Sequence, residues 1–177
     1  EGTVVHYHPY HHALETRAKT PAGFWERVFG FYQTPGFFIV LSSILWRESW
    51  KYGERALRYC HHDVGHAIAA LSFDGNLLGW KVTCLNAASQ DDMERLLGFH
   101  VVEWPNGERE SADVLCFVHP STHFGVPRSC PADLVISMTS VEWQGRPSRL
   151  SSSHLDWPYA QETEARLVQP LTQEFSV

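Results

Sequence analysis

No apolar run in this chain is long enough to cross a membrane as a helix. The longest begins at Gly36 and is interrupted by Ser42 and Ser43, well short of the ~20 residues a span requires. Basic residues are also few. Lys and Arg number 14 against 20 Asp and Glu, a net charge of −6, which argues against a nucleic-acid surface built on clustered cations. The four cysteines, Cys60, Cys84, Cys116 and Cys130, form no CxxC pair. They read as free structural thiols in the cytoplasm or another reducing compartment. There is no internal repeat, no signal-peptide pattern and no Ser-His-Asp, Cys-His or paired-carboxylate constellation. The chain begins at Glu1 rather than methionine, and so reads as an excised or processed piece.

What is present is ample core material. With 44% apolar and 13% aromatic residues in 177, the length suits one domain. The stretch from Trp46 to Trp80 organises the rest. Leu57, Cys60, Val64, Ala67, Leu71 and Leu78 recur at helical spacing, and Tyr59, His62, His66, Ala70, Phe73 and Leu77 make a second such face. A helix apolar nearly all round is expected to be buried on most sides, in a core or between subunits. Gly65 inside it, costing about 1 kcal/mol against alanine, suggests close approach of a backbone or a flat ligand. Its N-terminal turns carry Arg47, Lys51, Arg55 and Arg58 beside Glu48 and Glu54.

Around this helix the pattern predicts short elements. Thr3 to Tyr7 reads as a strand followed by a polar, His-rich loop to Lys19. A helix is expected to open at Thr20-Pro21 and run through Phe31, with Thr20 as N-cap. Phe37 to Leu41 reads as a strand covered on both faces, and Trp80 to Leu85 and Ala112 to Val118 as further strands. A short helix starts at Ser89 and closes at Gly98, and Pro105-Asn106-Gly107 reads as a turn. After Pro120 the prolines multiply, and Arg149 to Ser153 is turn-like. Glu162 to Val168 reads as a short helix in an extended arm that needs a surface to lie against.

The helix and its flanks resemble the nitroreductase-like flavoprotein superfamily, most closely its SagB-type (azoline dehydrogenase) branch. The matching residues are Trp46, Arg47, Lys51, Tyr52, Gly53, Glu54, Arg55, Arg58, Tyr59, Asp63, Gly65, His66 and Gly79. Val5-His6-Tyr7-His8-Pro9 through His12-Ala13-Leu14-Glu15, Asp91 to Phe99, and Trp143 to Ser151 with His154, Trp157 and Pro158 resemble other segments of that family. The resemblance implies an α+β fold. Residues 1–119 would be the C-terminal part of a nitroreductase-like domain, and residues 120–177 an extended linker arm toward a second module. It implies that two modules pair through their long helices and bind FMN between them, for hydride transfer to or from an organic substrate. By resemblance, Leu85, Asn86 and Ala87 form the loop that offers a backbone N–H to the flavin ring. On a functional reading, Arg55 and Arg58, with Arg47 and Lys51, would form a cationic cluster near a flavin phosphate or an anionic substrate. The family's Arg-Arg-Ser-x-Arg and Ser-Gly-Gly motifs are not in the chain, and Asp74-Gly75 replaces small apolar residues, so the last turns are expected to be kinked or opened. Activity would therefore require a complementary nitroreductase-like chain or a homo-oligomer.

Other chemistries compete. His62 and His66 flank Asp63 at i, i+4 spacing, as in HExxH metal sites, with His119 or His123 as further ligands. Because the flavoprotein pattern already accounts for Asp63, Gly65 and His66, the metal reading is the weaker. His6, His8, His11 and His12 resemble a metal-binding tract but read better as surface imidazoles. The four bases of the helix entrance read better as ion-paired, aromatic-packed structure than as a binding cluster. The remaining alternative is a catalytically inactive nitroreductase-like subunit retained for structure or interaction in a larger assembly.

Overall fold

The computed structural model describes residues 2–104, 108–147 and 157–172. The chain mixes α and β structure, with two small antiparallel sheets. The larger sheet is built on β5 (Ser111–Pro120), whose middle residues Leu115, Cys116 and Phe117 are fully buried. It lies between β3 (Phe37–Ser43) and β4 (Trp80–Cys84), antiparallel to both, in the order β3-β5-β4. A strand apolar at successive positions must be covered on both faces. β5 meets that requirement; β3, expected to be covered likewise, is an edge strand that stays partly open.

On one face Leu115 and Phe117 pack beneath α1 (Phe24–Tyr32), α4 (Gln90–Leu97) and α5 (Ala132–Met138). Phe24, Val28 and Tyr32 recur every four residues along the buried side of α1. The Tyr32 ring stacks on Phe117 at 4.2 Å, and its hydroxyl donates to Ser129 O at 2.8 Å. The α1 helix starts at Phe24 behind Gly23, later than Thr20-Pro21 suggested, because Thr20 is buried and its Oγ1 accepts from Gly2 N–H. The α4 helix starts behind Ser89 and closes at Gly98 (φ 76°), as the sequence indicates, and Ser89 caps it reciprocally with Asp92. Leu134, Val135 and Met138 of α5 belong to this core, although they lie beyond residue 119. The turn at 105–107 and the RLSSS stretch lie outside the described residues.

The other face of the sheet carries α3 (Ala56–Leu77). The expected single rod is broken. α2 (Leu45–Tyr52) ends at Gly53, whose φ of 55° and ψ of −137° no other residue adopts easily, and a 3-10 turn links it to α3. An added Cβ at Gly53 would stand 3.2 Å from the Trp157 indole ahead of α6 (Pro158–Arg166). Leu45, Ala56, Cys60 and Ala160 form a second, smaller core there. The Asp74-Gly75 turn neither kinks nor opens. Gly75 is the tight glycine of α3, with Val82 Cγ2 at 3.3 Å and Trp80 O at 3.4 Å from an added Cβ.

The expected burial of α3 on most sides, in a core or between subunits, is not supplied by the described residues of the chain. Ala56, Cys60 and Gly75 are buried, and Leu57, Val64, Ala67 and Leu71 are half-buried on the sheet side. The second face is open: Phe73 is 72% and Leu77 85% exposed, and nothing stands within 4 Å of a Cβ at Gly65. No helix among the described residues is long and apolar enough to cross a membrane.

β1 (Thr3–His8) and β2 (Ala13–Lys19) form a separate hairpin, so the His-rich stretch is half strand and not a loop to Lys19. Its second strand was hidden by Ala, Glu and Lys, which are poor strand formers. Glycine chemistry distinguishes the two ends of α3. Gly65→Ala is expected to stabilise the isolated chain by about 1 kcal/mol through helix propensity. Gly75→Leu is expected to destabilise it by about 1–3 kcal/mol through overpacking against β4. Urea unfolding of the two variants checks the contrast.

Candidate functional site

The residues expected to face a cofactor fall into two places. Leu85 and Ala87 are buried in the loop that leaves β4, and Asn86 is exposed. The loop's donors are largely committed: Leu85 N–H donates to Leu115 O at 2.8 Å, and Ala87 N–H to Arg128 O at 3.1 Å. Within this loop, the Asn86 N–H meets no acceptor among the described residues. The C-terminal segment lies on this loop. Gln169 Nε2 donates to Asn86 O and Ala88 O, and Thr172 N–H donates to Ala87 O.

Arg55 and Arg58 lie elsewhere, on the 3-10 turn and the first turn of α3, both exposed. Neither meets a carboxylate among the described residues. Arg58 lies over the Tyr59 ring at 5.7 Å, Lys51 lies over Tyr52 at 4.9 Å, and the two tyrosines stack at 4.2 Å. Of the expected ion-paired, aromatic-packed arrangement, the aromatic packing is present for Lys51 and Arg58. The guanidiniums remain available to an anion, and Asn86 can serve one acceptor. The two groups lie apart and, among the described residues, form no common cradle.

Between the two places is a cavity of about 220 Å³. Cys60 and His61 of α3, Ser43 of β3, Asp113 of β5 and Glu164 of α6 line it. Ser43 Oγ donates to Asp113 Oδ2 at 2.7 Å, and Ser111 Oγ donates to Glu164 Oε1 at 2.9 Å. Burial raises the pKa of both carboxyl groups, partly offset by those hydroxyl donors. Burial likewise pushes the Cys60 thiol up to about 11, with Glu48 and Asp113 adding to it. The cavity therefore holds late-titrating acids and an inert thiol, and it is smaller than the ~300 Å³ at which ligand pockets begin. Sequence reading missed Asp113 and Glu164, although a carboxylate inside the apolar run ADVLCFV was a visible anomaly.

A wider groove of about 660 Å³ separates the hairpin from β3 and α2. Tyr7, Phe99 and Trp104 give it aromatic walls, and Arg17, Arg47 and Arg146 stand among its acids Glu48 and Glu110. Its size suits a cofactor or substrate, but it contains none of the five expected residues.

The histidines do not converge. His62 and His66 are exposed, with His66 Nδ1 4.0 Å from Asp63 Oδ1. His119 is buried in the sheet, its Nε2 3.0 Å from Thr83 Oγ1 and its Nδ1 3.1 Å from Pro120 O. Burial lowers its pKa and favours the neutral ring. Among the described residues no three His, Cys, Asp or Glu side chains gather as a metal-ligand set. In the hairpin, His6 pairs with Glu15 at 3.0 Å and His12 with the Tyr7 hydroxyl at 2.8 Å. Compared with protein-family models, curated proteins and solved structures, the chain matches none.

The two half-buried acids set a pH dependence. Their folded pKa values lie above the unfolded ones, so the folded chain binds more protons in that window and loses stability as pH rises through it. Asp113→Asn, whose amide oxygen still accepts from Ser43, is expected to be more stable than the natural chain at neutral pH. The difference should vanish below the unfolded carboxyl value of 3.8. Urea titrations across the acid range check this sign.

Proposed function

We propose that this chain is one half of a nitroreductase-like, SagB-type flavoprotein module, in which FMN-dependent hydride transfer arises only after a second chain covers α3. The open face of α3 carries the reading. Gly65, Ala69, Phe73 and Leu77 follow one another at four-residue spacing, all exposed, with Leu78 a further 75% exposed beside them. Contiguous apolar surface of this kind drives association, and the small residues at Gly65 and Ala69 leave room for a facing helix. The partner is a complementary nitroreductase-like chain or another copy of this one. When bound, the flavin would supply the hydride chemistry. This chain would contribute the Asn86 N–H toward the ring and Arg55 and Arg58 toward anionic groups.

A second reading is favoured by one observation. The Leu85–Ala87 loop has its Leu85 and Ala87 donors satisfied internally and is held by Gln169 and Thr172. That suits an inactive nitroreductase-like subunit kept for interaction in a larger assembly. The visible absorption spectrum of natively purified material separates the two. Flavin bands that are lost when Gly65→Leu blocks the helix face support the enzyme. A colourless but intact assembly that is likewise broken by Gly65→Leu supports the interaction subunit. An assembly indifferent to Gly65→Leu contradicts both.

A further inference from the structure

Cys84 and Cys116 stand opposite each other across β4 and β5, with their sulfur atoms 3.6 Å apart. The next pair along, Leu85 and Leu115, is joined by the Leu85 N–H to Leu115 O bond at 2.8 Å. Hydrogen-bonded and non-hydrogen-bonded pairs alternate in an antiparallel ladder, so Cys84 and Cys116 occupy the narrow, non-hydrogen-bonded position with Cα atoms about 4.5 Å apart. That separation falls within the range of about 4.4–6.8 Å that a disulfide bridges. Side-chain rotation alone then closes the bond. The two sulfurs also differ in access: Cys84 is half-buried on an edge strand, and Cys116 is fully buried on the central one.

We propose that Cys84 and Cys116 form a reversible cross-strand redox site whose substrate is a low-molecular-weight disulfide of the glutathione type. The Cys84 thiolate attacks one sulfur of that disulfide, forming a mixed disulfide and expelling one small thiolate, which takes up a proton. The Cys116 sulfur, giving up its own proton, then attacks the Cys84 sulfur and expels the second small thiol. In balance, two protein thiols lose two electrons and two protons, and one small disulfide becomes two small thiols. The order of attack follows from the burial. The Cys116 thiol is pushed up to about 12 by burial and by Cys84 beside it, so it reacts only with a sulfur already held against it. Cys60 and Cys130 are held as thiols at about 11 and about 12 and face no second sulfur among the described residues. The bond would tie the end of β4 to the centre of the sheet, immediately before the Leu85–Ala87 loop. It does not depend on the flavin reading.

The test equilibrates the purified chain, with any chain that copurifies, in mixtures of reduced and oxidised glutathione, then quenches with acid and alkylates. The expected product has lost two of its four titratable thiols and yields one linked peptide joining Cys84 to Cys116, reversed by excess reduced glutathione. Cys116→Ser should stop at a stable glutathione adduct on Cys84, Cys84→Ser should leave Cys116 unmodified, and Cys60→Ser should still form the link. A lasting glutathione adduct on Cys84 of the natural chain without a linked peptide would overturn the proposal. So would four alkylatable thiols at every glutathione ratio.

Discussion

Burial of β5 on both faces is the constraint from which the rest of the structure follows. Leu115 and Phe117 need cover on one side, and Cys116 and Val118 need it on the other. One side is closed by three short helices, and Tyr32 on Phe117 fixes their position. The other side is closed chiefly by α3, which must turn its one tight glycine, Gly75, toward Val82 and Trp80, with Glu164 of α6 meeting Ser111 at the start of β5. Having committed that face to the sheet, the helix meets no element on the opposite one among the described residues. The uncovered stripe is thus a consequence of topology rather than of loose packing.

The elements that repeat a strong local signal were legible in the sequence. The apolar run at β5, the Ser89 start and Gly98 stop of α4, and the helical period of α3 all name their structures. The break at Gly53 was not legible, because the period of α2 and α3 runs on through it, and the Trp157 indole that packs against Gly53 lies about a hundred residues away. Gly65 and Gly75 look alike in sequence, and the one expected to be close-packed is open, while the one expected to loosen the helix is packed. Periodicity says which residues share a face; it does not say which face finds a partner.

The site was less legible for the same reason. Leu85, Asn86 and Ala87 follow the end of β4, whereas Arg55 and Arg58, expected to be ion-paired, meet no carboxylate among the described residues. Nothing local foretold that Gln169 and Thr172 would lie on that loop, or that Glu164 would reach the cavity beside Asp113. The facing of Cys84 and Cys116 depends on a register between strands 32 positions apart, which the absence of a CxxC motif concealed.

The central claim is that the outer face of α3 is an interface. Sedimentation equilibrium of the natively purified chain, beside a Phe73→Glu, Leu77→Glu double variant, tests it most directly. The account predicts a mass above that of one chain, from a second copy or a complementary chain. In the double variant that mass should fall to a single chain that retains its helical circular dichroism, since both positions are exposed and neither supports the fold. A natural chain that sediments as a stable, well-folded monomer at every concentration, with no companion chain, would contradict it.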